Sequence, residues 1–97
     1  MLHTINKSPF THQNLQSCLN LAKKDDPILL YEDAVLAIQQ GSILESLIKE
    51  ALGNHPIFAL EEDVKARGIT NSIEGVKLTN YAGFVDLVEQ HKVTPWL

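Results

Sequence analysis

The sequence predicts a small three-layer α/β/α domain built on a mainly parallel sheet of four or five strands. Short apolar runs alternate with stretches of helical periodicity from end to end, without a repeat or a linker. Strands joined by helices form right-handed βαβ units, which place helices on the faces of a parallel sheet. The 97 residues, 44% of them hydrophobic, suffice for one packed core. We therefore expect a single domain over residues 1–97.

Apolar runs indicate the strands. They cover residues 2–5, 28–31, 57–60 and 76–79. The second and third runs are continuously apolar, as expected of strands that are covered on both faces of a sheet. The tail, residues 93–97, is a candidate for a fifth strand.

Helical periodicity is clear between the first two strands. Ser8 followed by Pro9 is typical of a helix start. The apolar residues that follow have the i, i+3, i+4, i+7 spacing of one helix face, and they are Leu15, Cys18, Leu19 and Ala22. This helix is expected to end near residues 23–24.

Three further helical patterns and a short helical stretch complete the elements. The short stretch covers residues 34–40 and is closed by a glycine. Ser42 and Glu45 then form a capping-box pattern before a helix that runs to residue 52. Residues 61–67 are expected to form a short helix. Asn80 is expected to cap a last helix that reaches His91.

Composition excludes several classes of function. Eight Lys and Arg against 12 Asp and Glu leave a formal charge of −4, without the clustered cations that a nucleic-acid surface needs. A single cysteine excludes an internal disulfide and a multi-cysteine zinc site. No apolar run is long enough to span a bilayer, and no secretion signal is recognisable, so we expect a cytoplasmic protein.

Acidic residues follow two of the predicted strands at their carboxyl ends, where α/β folds bind ligands. They are Glu32 and Asp33 after the second strand, and Glu61, Glu62 and Asp63 after the third. Such carboxylates could hold a Mg²⁺ ion. Alternatively, each acid stabilises the N-terminus of the helix that it precedes. We favour the second interpretation, since every acidic cluster lies directly before a helix start. No glycine-rich phosphate loop accompanies the acids.

Cys18 is the only candidate nucleophile of the thiol type. A reactive thiolate favours a helix N-terminus, a nearby cation and partial exposure. Cys18 instead lies in mid-helix on an apolar face, so we expect a buried thiol that behaves as a small hydrophobic residue. His3, His12, His55 and His91 show no metal-ligand spacing. We therefore predict no catalytic, cofactor-binding or metal-binding residue.

Two apolar features suggest contacts with other molecules. Residues 43–52 are apolar over more than one narrow helical stripe, which indicates either an exposed interaction patch or a face fully covered by the sheet. Trp96 lies one residue from the end of the chain, after Pro95. We expect its ring to pack on the domain or a partner, with the indole N–H bound to a carbonyl or water.

Four segments resemble the TusB/DsrH family of sulfur-relay proteins, and together they span essentially the whole chain. They are MLHTINKSPF at residues 1–10, LLYEDAV at 29–35, FALEEDVKARGI at 58–69 and NYAGFVDLV at 80–88. The Ala-Leu-x-Glu-Asp-x-x-Ala-Arg-Gly block within the third segment is the most distinctive. The resemblance implies a DsrE-like fold.

The resemblance also implies a non-catalytic subunit of the TusBCD complex, a dimer of heterotrimers, with TusC-like and TusD-like partners. That complex passes persulfide sulfur from TusA-like to TusE-like carriers for 2-thiolation of the wobble uridine of tRNA. In the family the sulfur-carrying cysteine belongs to the TusD/DsrE subunit. The resemblance further implies that the chain binds no cofactor, does not associate with a membrane and does not contact nucleic acid directly. The isolated chain could form homo-oligomers through its apolar patches.

Two other functions remain open at this point. One is a small metal-dependent phosphoryl-transfer or receiver-like domain that uses Asp33 and Asp63. The other is a thiol-transfer enzyme that uses Cys18. A specific Mg²⁺ site would distinguish the first, and rapid alkylation of the native protein would distinguish the second.

Overall fold

The computed structural model describes residues 1–97 and contains a five-stranded sheet with the order β4-β3-β2-β1-β5. All neighbouring strands are parallel. The strands are β1 (Leu2–Ile5), β2 (Ile28–Leu30), β3 (Ile57–Leu60), β4 (Lys77–Thr79) and β5 (Val93–Trp96). The predicted α/β class is confirmed, and the C-terminal tail forms the fifth strand.

Helices connect the strands in sequence order. They are α1 (Asn14–Leu21), α2 (Glu45–Leu52), α3 (Glu61–Ala66) and α4 (Tyr81–Gln90), with a 3₁₀ helix (Glu32–Ile38) between β2 and α2. None of the helices combines the length and the apolar character needed to cross a bilayer.

One face of the sheet carries the main core. The chain steps from β1 to β4 in one direction across the sheet, so right-handed crossovers place α1, α2 and α3 on the same face. Alternate strand residues point to that face and are fully or almost fully buried. They are Ile5, Ile28, Leu30, Ile57 and Ala59, and they pack with side chains from all three helices and the 3₁₀ helix.

The opposite face of the sheet is covered by α4. The chain returns from β4 at one edge to β5 at the other, and this reversed step places α4 on the second face. Phe84 of α4 packs edge-on against Tyr31, with ring centroids 5.6 Å apart. Leu2 and Leu29 point to this face and are fully buried. The predicted three-layer arrangement is confirmed, with a single helix forming the third layer.

The predicted start of the first helix is wrong. The structure begins α1 at Asn14 and ends it at Leu21, so it is shorter at both ends than expected. The Ser8 hydroxyl accepts a hydrogen bond from the Phe10 N–H at 3.2 Å, and the Ser8 carbonyl accepts from the His12 N–H at 3.1 Å. Ser8 therefore stabilises a local turn instead of capping a helix.

The predicted capping box at Ser42 and Glu45 forms differently. The Glu45 carboxylate accepts from the Gly41 N–H at 3.0 Å, and the Ser42 hydroxyl accepts from the Leu44 N–H at 3.1 Å. These bonds close a turn, and α2 begins only at Glu45. The Asn80 cap is confirmed, since its side-chain oxygen accepts from the Gly83 N–H at 2.9 Å.

The apolar segment 43–52 is used mainly by the core. Ile48 is fully buried and Ala51 is 7% exposed. Ile43, by contrast, precedes α2 and is 88% exposed. Of the two interpretations of this segment, the structure therefore supports coverage by the domain itself for most of its length.

The same segment provides a matched pair of substitutions. Ile48→Ala should lower the free energy of unfolding by about 2–5 kcal/mol, because it leaves a cavity beneath α2. Ile43→Ala removes the same atoms from a solvent-exposed position, and the change should stay within about 0.5 kcal/mol. Urea denaturation of the isolated chain measures both values. Equal losses for the two variants would contradict the observed orientation of α2.

Candidate functional site

The acidic carboxyl edge of the sheet is held together by Arg67. Its Nη2 and Nε atoms donate to Asp33 Oδ1 at 2.9 and 3.1 Å, and its Nη1 lies 3.5 Å from Asp63 Oδ1. Asp63 Oδ2 also accepts from the Glu32 N–H at 2.6 Å. This bond holds Glu32 at a positive φ of 49°, where the 3₁₀ helix begins.

This geometry argues against a cation at Asp33 and Asp63. The guanidinium of Arg67 lies between the two carboxylates and already supplies their positive charge. A Mg²⁺ site needs such oxygens to be free for the metal. No group of three or more His, Cys, Asp or Glu side chains is placed to hold a metal ion. All five acids lie in the first turns of the 3₁₀ helix and α3, where their charge stabilises the helix N-termini as the favoured interpretation expects.

Cys18 lies in the core beneath α1. Its side chain is fully buried, as predicted. Burial raises the pKa of the thiol to about 12, and the negative charge of Asp26 adds to this effect. Because the thiolate is the nucleophilic form of cysteine, Cys18 is an unreactive thiol at neutral pH.

A chain of hydrogen bonds connects the C-terminal strand to the loop before β2. The Trp96 indole N–H donates to His3 Nδ1 at 3.2 Å, and His3 Nε2 lies 3.0 Å from Asp26 Oδ2. An indole N–H can only donate, so the ring proton of His3 is assigned to Nε2, from which it donates to Asp26. His3 is almost fully buried. These contacts fix β5 at its edge of the sheet.

The predicted packing of Trp96 is confirmed, but the predicted partner of its indole is wrong. Trp96 packs against the main core, and its carbonyl accepts from the Asn14 side chain at 3.2 Å. His3 takes the place expected for a carbonyl or a water, because β1 and β5 are neighbours and the two side chains lie diagonally across them. Sequence spacing gives no sign of this pairing, since the two residues stand at opposite ends of the chain.

The other histidines lie apart from one another and have separate roles. His55 is buried, and its Nδ1 lies 2.9 Å from the Asp26 carbonyl oxygen. His12 is exposed and bonds the Thr11 hydroxyl at 2.9 Å. His91 follows the last turn of α4. Each of these three histidines therefore has its own local surroundings.

The most exposed apolar helix face belongs to α4. Tyr81, Val85 and Val88 follow the i, i+4, i+7 spacing of one face and are 59%, 50% and 37% exposed. No residue of α4 is fully buried. We call these three residues with the nearby carboxylates Glu62, Asp86 and Glu89 the α4 surface.

The sequence pattern predicts an interaction patch at residues 43–52 and does not predict the α4 surface. A signal was present in the sequence. Phe84 and Leu87 form one apolar stripe, and Tyr81, Val85 and Val88 form a second beside it. A helix that only covers a sheet needs one stripe. The second stripe of α4 therefore indicates that this helix contacts another protein as well as the sheet.

Comparison with known proteins decides the family. A family model described as DsrH like protein matches residues 7–94. The chain belongs to the DsrH family. Relatives within it include Protein TusB of Yersinia pestis (strain Pestoides F) and Protein TusB of Yersinia pseudotuberculosis serotype O:1b (strain IP 31758). Each is 40% identical over 95 residues, with 95% of either chain covered. The resemblance to the TusB/DsrH family is confirmed.

Solved structures share the fold of this DsrH-family chain. The ychN protein from E. coli superposes with a TM-score of 0.82 at 21% identity, over 97% of both chains. A protein of unknown function, MTH1491 from Methanobacterium thermoautotrophicum, gives a TM-score of 0.73 at 16% identity, over 97% of this chain and 95% of its own. At these identities the likeness concerns the architecture of the fold.

The bond from His3 makes stability depend on pH through Asp26. The pKa of the Asp26 carboxyl lies below its ordinary value of 3.8, chiefly because His3 donates to it, with further bonds from the Lys23 N–H and the N-terminal amine. A carboxyl with a lowered native pKa stabilises the fold above its unfolded pKa, and this contribution is lost as the pH falls through the native pKa.

We therefore expect Asp26→Asn to be less stable than the wild type at neutral pH, with the difference shrinking below pH 3.8. Denaturant unfolding at a series of pH values measures this difference. Asp25→Asn is the control, because the Asp25 side chain is exposed and has no side-chain hydrogen bond. A constant difference between Asp26→Asn and wild type across this pH range would refute the assignment.

Trp96 is the only tryptophan, so its fluorescence reports on the C-terminal strand. The emission of the isolated chain should be blue-shifted from that of free tryptophan and protected from quencher, because the indole packs on the core. His3→Ala should shift the emission to the red by removing the acceptor of the indole N–H. Emission like free tryptophan in the wild type would contradict the packing.

Proposed function

We propose that this chain is an accessory subunit of a sulfur-relay complex that supports 2-thiolation of the wobble uridine of tRNA. Membership of the DsrH family and 40% identity to proteins named TusB support a sulfur-relay role in tRNA thiolation. The partners are TusC-like and TusD-like subunits, and the assembly is a dimer of heterotrimers. The chain enters that assembly as one domain in the cytoplasm.

The burial of Cys18 is the observation that carries the accessory role. A sulfur carrier needs a thiolate that attacks a donor persulfide and then presents its own persulfide to an acceptor. Cys18 is the only thiol of the chain, it is fully buried, and its pKa is raised to about 12. This burial supports our proposal that the sulfur passes through cysteines of other subunits. We also propose that this chain contributes no catalytic, cofactor-binding or metal-binding residue.

The net negative charge of the chain supports a role in binding other proteins, without direct contact with tRNA. The formal charge is −4, and acidic side chains occupy both the carboxyl edge of the sheet and the α4 surface. Binding to a phosphate backbone depends on clustered cations. We therefore expect the tRNA to bind proteins that act later in the relay. No observation favours phosphoryl transfer, since Asp33 and Asp63 both bind Arg67.

Substitution of the cysteine tests the proposal in cells. Cys18→Ala should retain near-normal 2-thiouridine in tRNA and lose stability on the order of 1 kcal/mol from a small cavity. Mass spectrometry of tRNA nucleosides from a strain that carries only this variant measures the first value. The control is the strain without the chain, which should lose the modification. A folded Cys18→Ala protein that fails to restore 2-thiouridine would show that the thiol carries sulfur.

Co-purification tests the assembly. Expressed with TusC-like and TusD-like subunits, the chain should sediment as a heteromer whose specific contacts each bury more than about 1,000 Å². Cys18→Ala should assemble equally well, because the thiol lies in the core and not at a surface. A wild-type chain that remains alone in the presence of both partners would contradict the proposed function.

A further inference from the structure

The α4 surface has apolar side chains that the fold does not use. Phe84 and Leu87 are the half-buried large side chains of α4, and Phe84 contacts Tyr31. Tyr81, Val85 and Val88 lie beside them and remain open to solvent. A continuous apolar stripe of this kind on a soluble domain marks a surface that another protein covers.

The apolar stripe alone is too small for a stable interface. A specific contact buries about 800 Å² on each partner, which takes some 20–30 residues. Three side chains cannot supply that area, so the contact must extend to their charged neighbours. Glu62 lies at the N-terminal end of the stripe, where its Oε2 is 3.4 Å from the Tyr81 backbone nitrogen. On the helix itself, Glu89 lies beside the stripe, and Asp86 lies farther round the helix on the same side; both are exposed.

The charge of these neighbours defines the partner. The rim is acidic, and α4 itself contains no Lys or Arg. Carboxylates brought to an interface need cations opposite them, because like charges or unpaired charges disfavour association. The partner's surface must therefore be apolar at its centre and carry Lys or Arg at its rim.

A second copy of this chain does not meet that description. Two α4 surfaces face to face would bring Asp86 and Glu89 against the same carboxylates of the copy. The two lysines that flank α4 in the chain are not on this helix face, since Lys77 of β4 lies over the Phe58 ring at 5.7 Å from its centroid and Lys92 follows the helix end. Charge thus favours a different polypeptide over a homodimer.

We infer that the α4 surface is the docking site for another subunit of the relay, one with an apolar patch bordered by Lys and Arg. This inference rests on the proposed function, which supplies the class of partner. Val93 extends the surface along β5, because it pairs with Leu2 on the same face of the sheet and is 37% exposed.

Substitutions on the exposed stripe test the inference with little risk to the fold. Val85→Asp, introduced into the chain co-expressed with TusC-like and TusD-like subunits, should weaken the complex about tenfold or more, as loss of a central contact does. Ile43→Asp is the matched control, because Ile43 is also an exposed apolar residue but lies outside the α4 surface. Thermal unfolding of both purified variants verifies that they fold.

A charge reversal tests the chemistry of the rim. The double variant Asp86→Lys and Glu89→Lys should bind more weakly than the wild type at low salt, and its affinity should not fall as salt is added. Wild-type affinity should fall with salt. Biolayer interferometry against the co-purified partners measures both. Binding of the double variant equal to that of the wild type would overturn the assignment of a basic partner.

Three results overturn the docking site and separate it from the proposed function. If the complex forms normally with Val85→Asp, the α4 surface is not part of the interface, and the proposed function is unaffected. A homodimer of the isolated wild type that Val85→Asp dissolves identifies a second copy as the occupant. Absence of any complex between the wild type and the relay subunits refutes the proposed function, and the inference with it.

Discussion

The order of the strands imposes the main constraint on this molecule. Four strands follow one another across the sheet, and a single long step returns the chain to the far edge. Because right-handed crossovers dictate the face that each helix covers, three α-helices lie on one side and α4 alone lies on the other. The two faces of the sheet are therefore covered unequally, and the side covered by α4 alone carries the exposed stripe of Tyr81, Val85 and Val88.

The thick side of the sheet explains why Cys18 is not free to act as a nucleophile. Cys18 lies among the side chains that join α1 to the sheet, and burial keeps its proton in place. At the carboxyl edge, the acids that could have held a cation instead bind Arg67 and the backbone of Glu32. Both features use groups that could have been reactive for contacts within the domain.

Sequence reasoning predicted the elements that depend on local patterns. The continuous apolar runs at β2 and β3 and the Asn80 cap of α4 were recognisable because neighbouring residues determine them. The start of α1 was misplaced, since the competing turn at Ser8 uses the same hydroxyl that would cap a helix. The burial of Cys18 followed from its place on an apolar face.

Features that depend on contacts between distant residues escaped prediction. The pairing of His3 with Trp96 requires β1 and β5 to be neighbours, which a sequence periodicity does not reveal. The exposure of Val85 depends on how α4 is rotated above the sheet, and the rotation follows from packing of Phe84 on Tyr31. Arg67 likewise joins two acids that stand 30 residues apart in the chain, Asp33 and Asp63.

The central claim is that this chain supports sulfur transfer by binding other subunits and never carries the sulfur itself. The most direct measurement is intact-protein mass spectrometry of each subunit of the complex while a persulfide donor supplies sulfur. The account predicts that a cysteine of another subunit gains the mass of one sulfur atom and that Cys18 remains an unmodified thiol. A persulfide on Cys18 that disappears when the acceptor protein is added would contradict it.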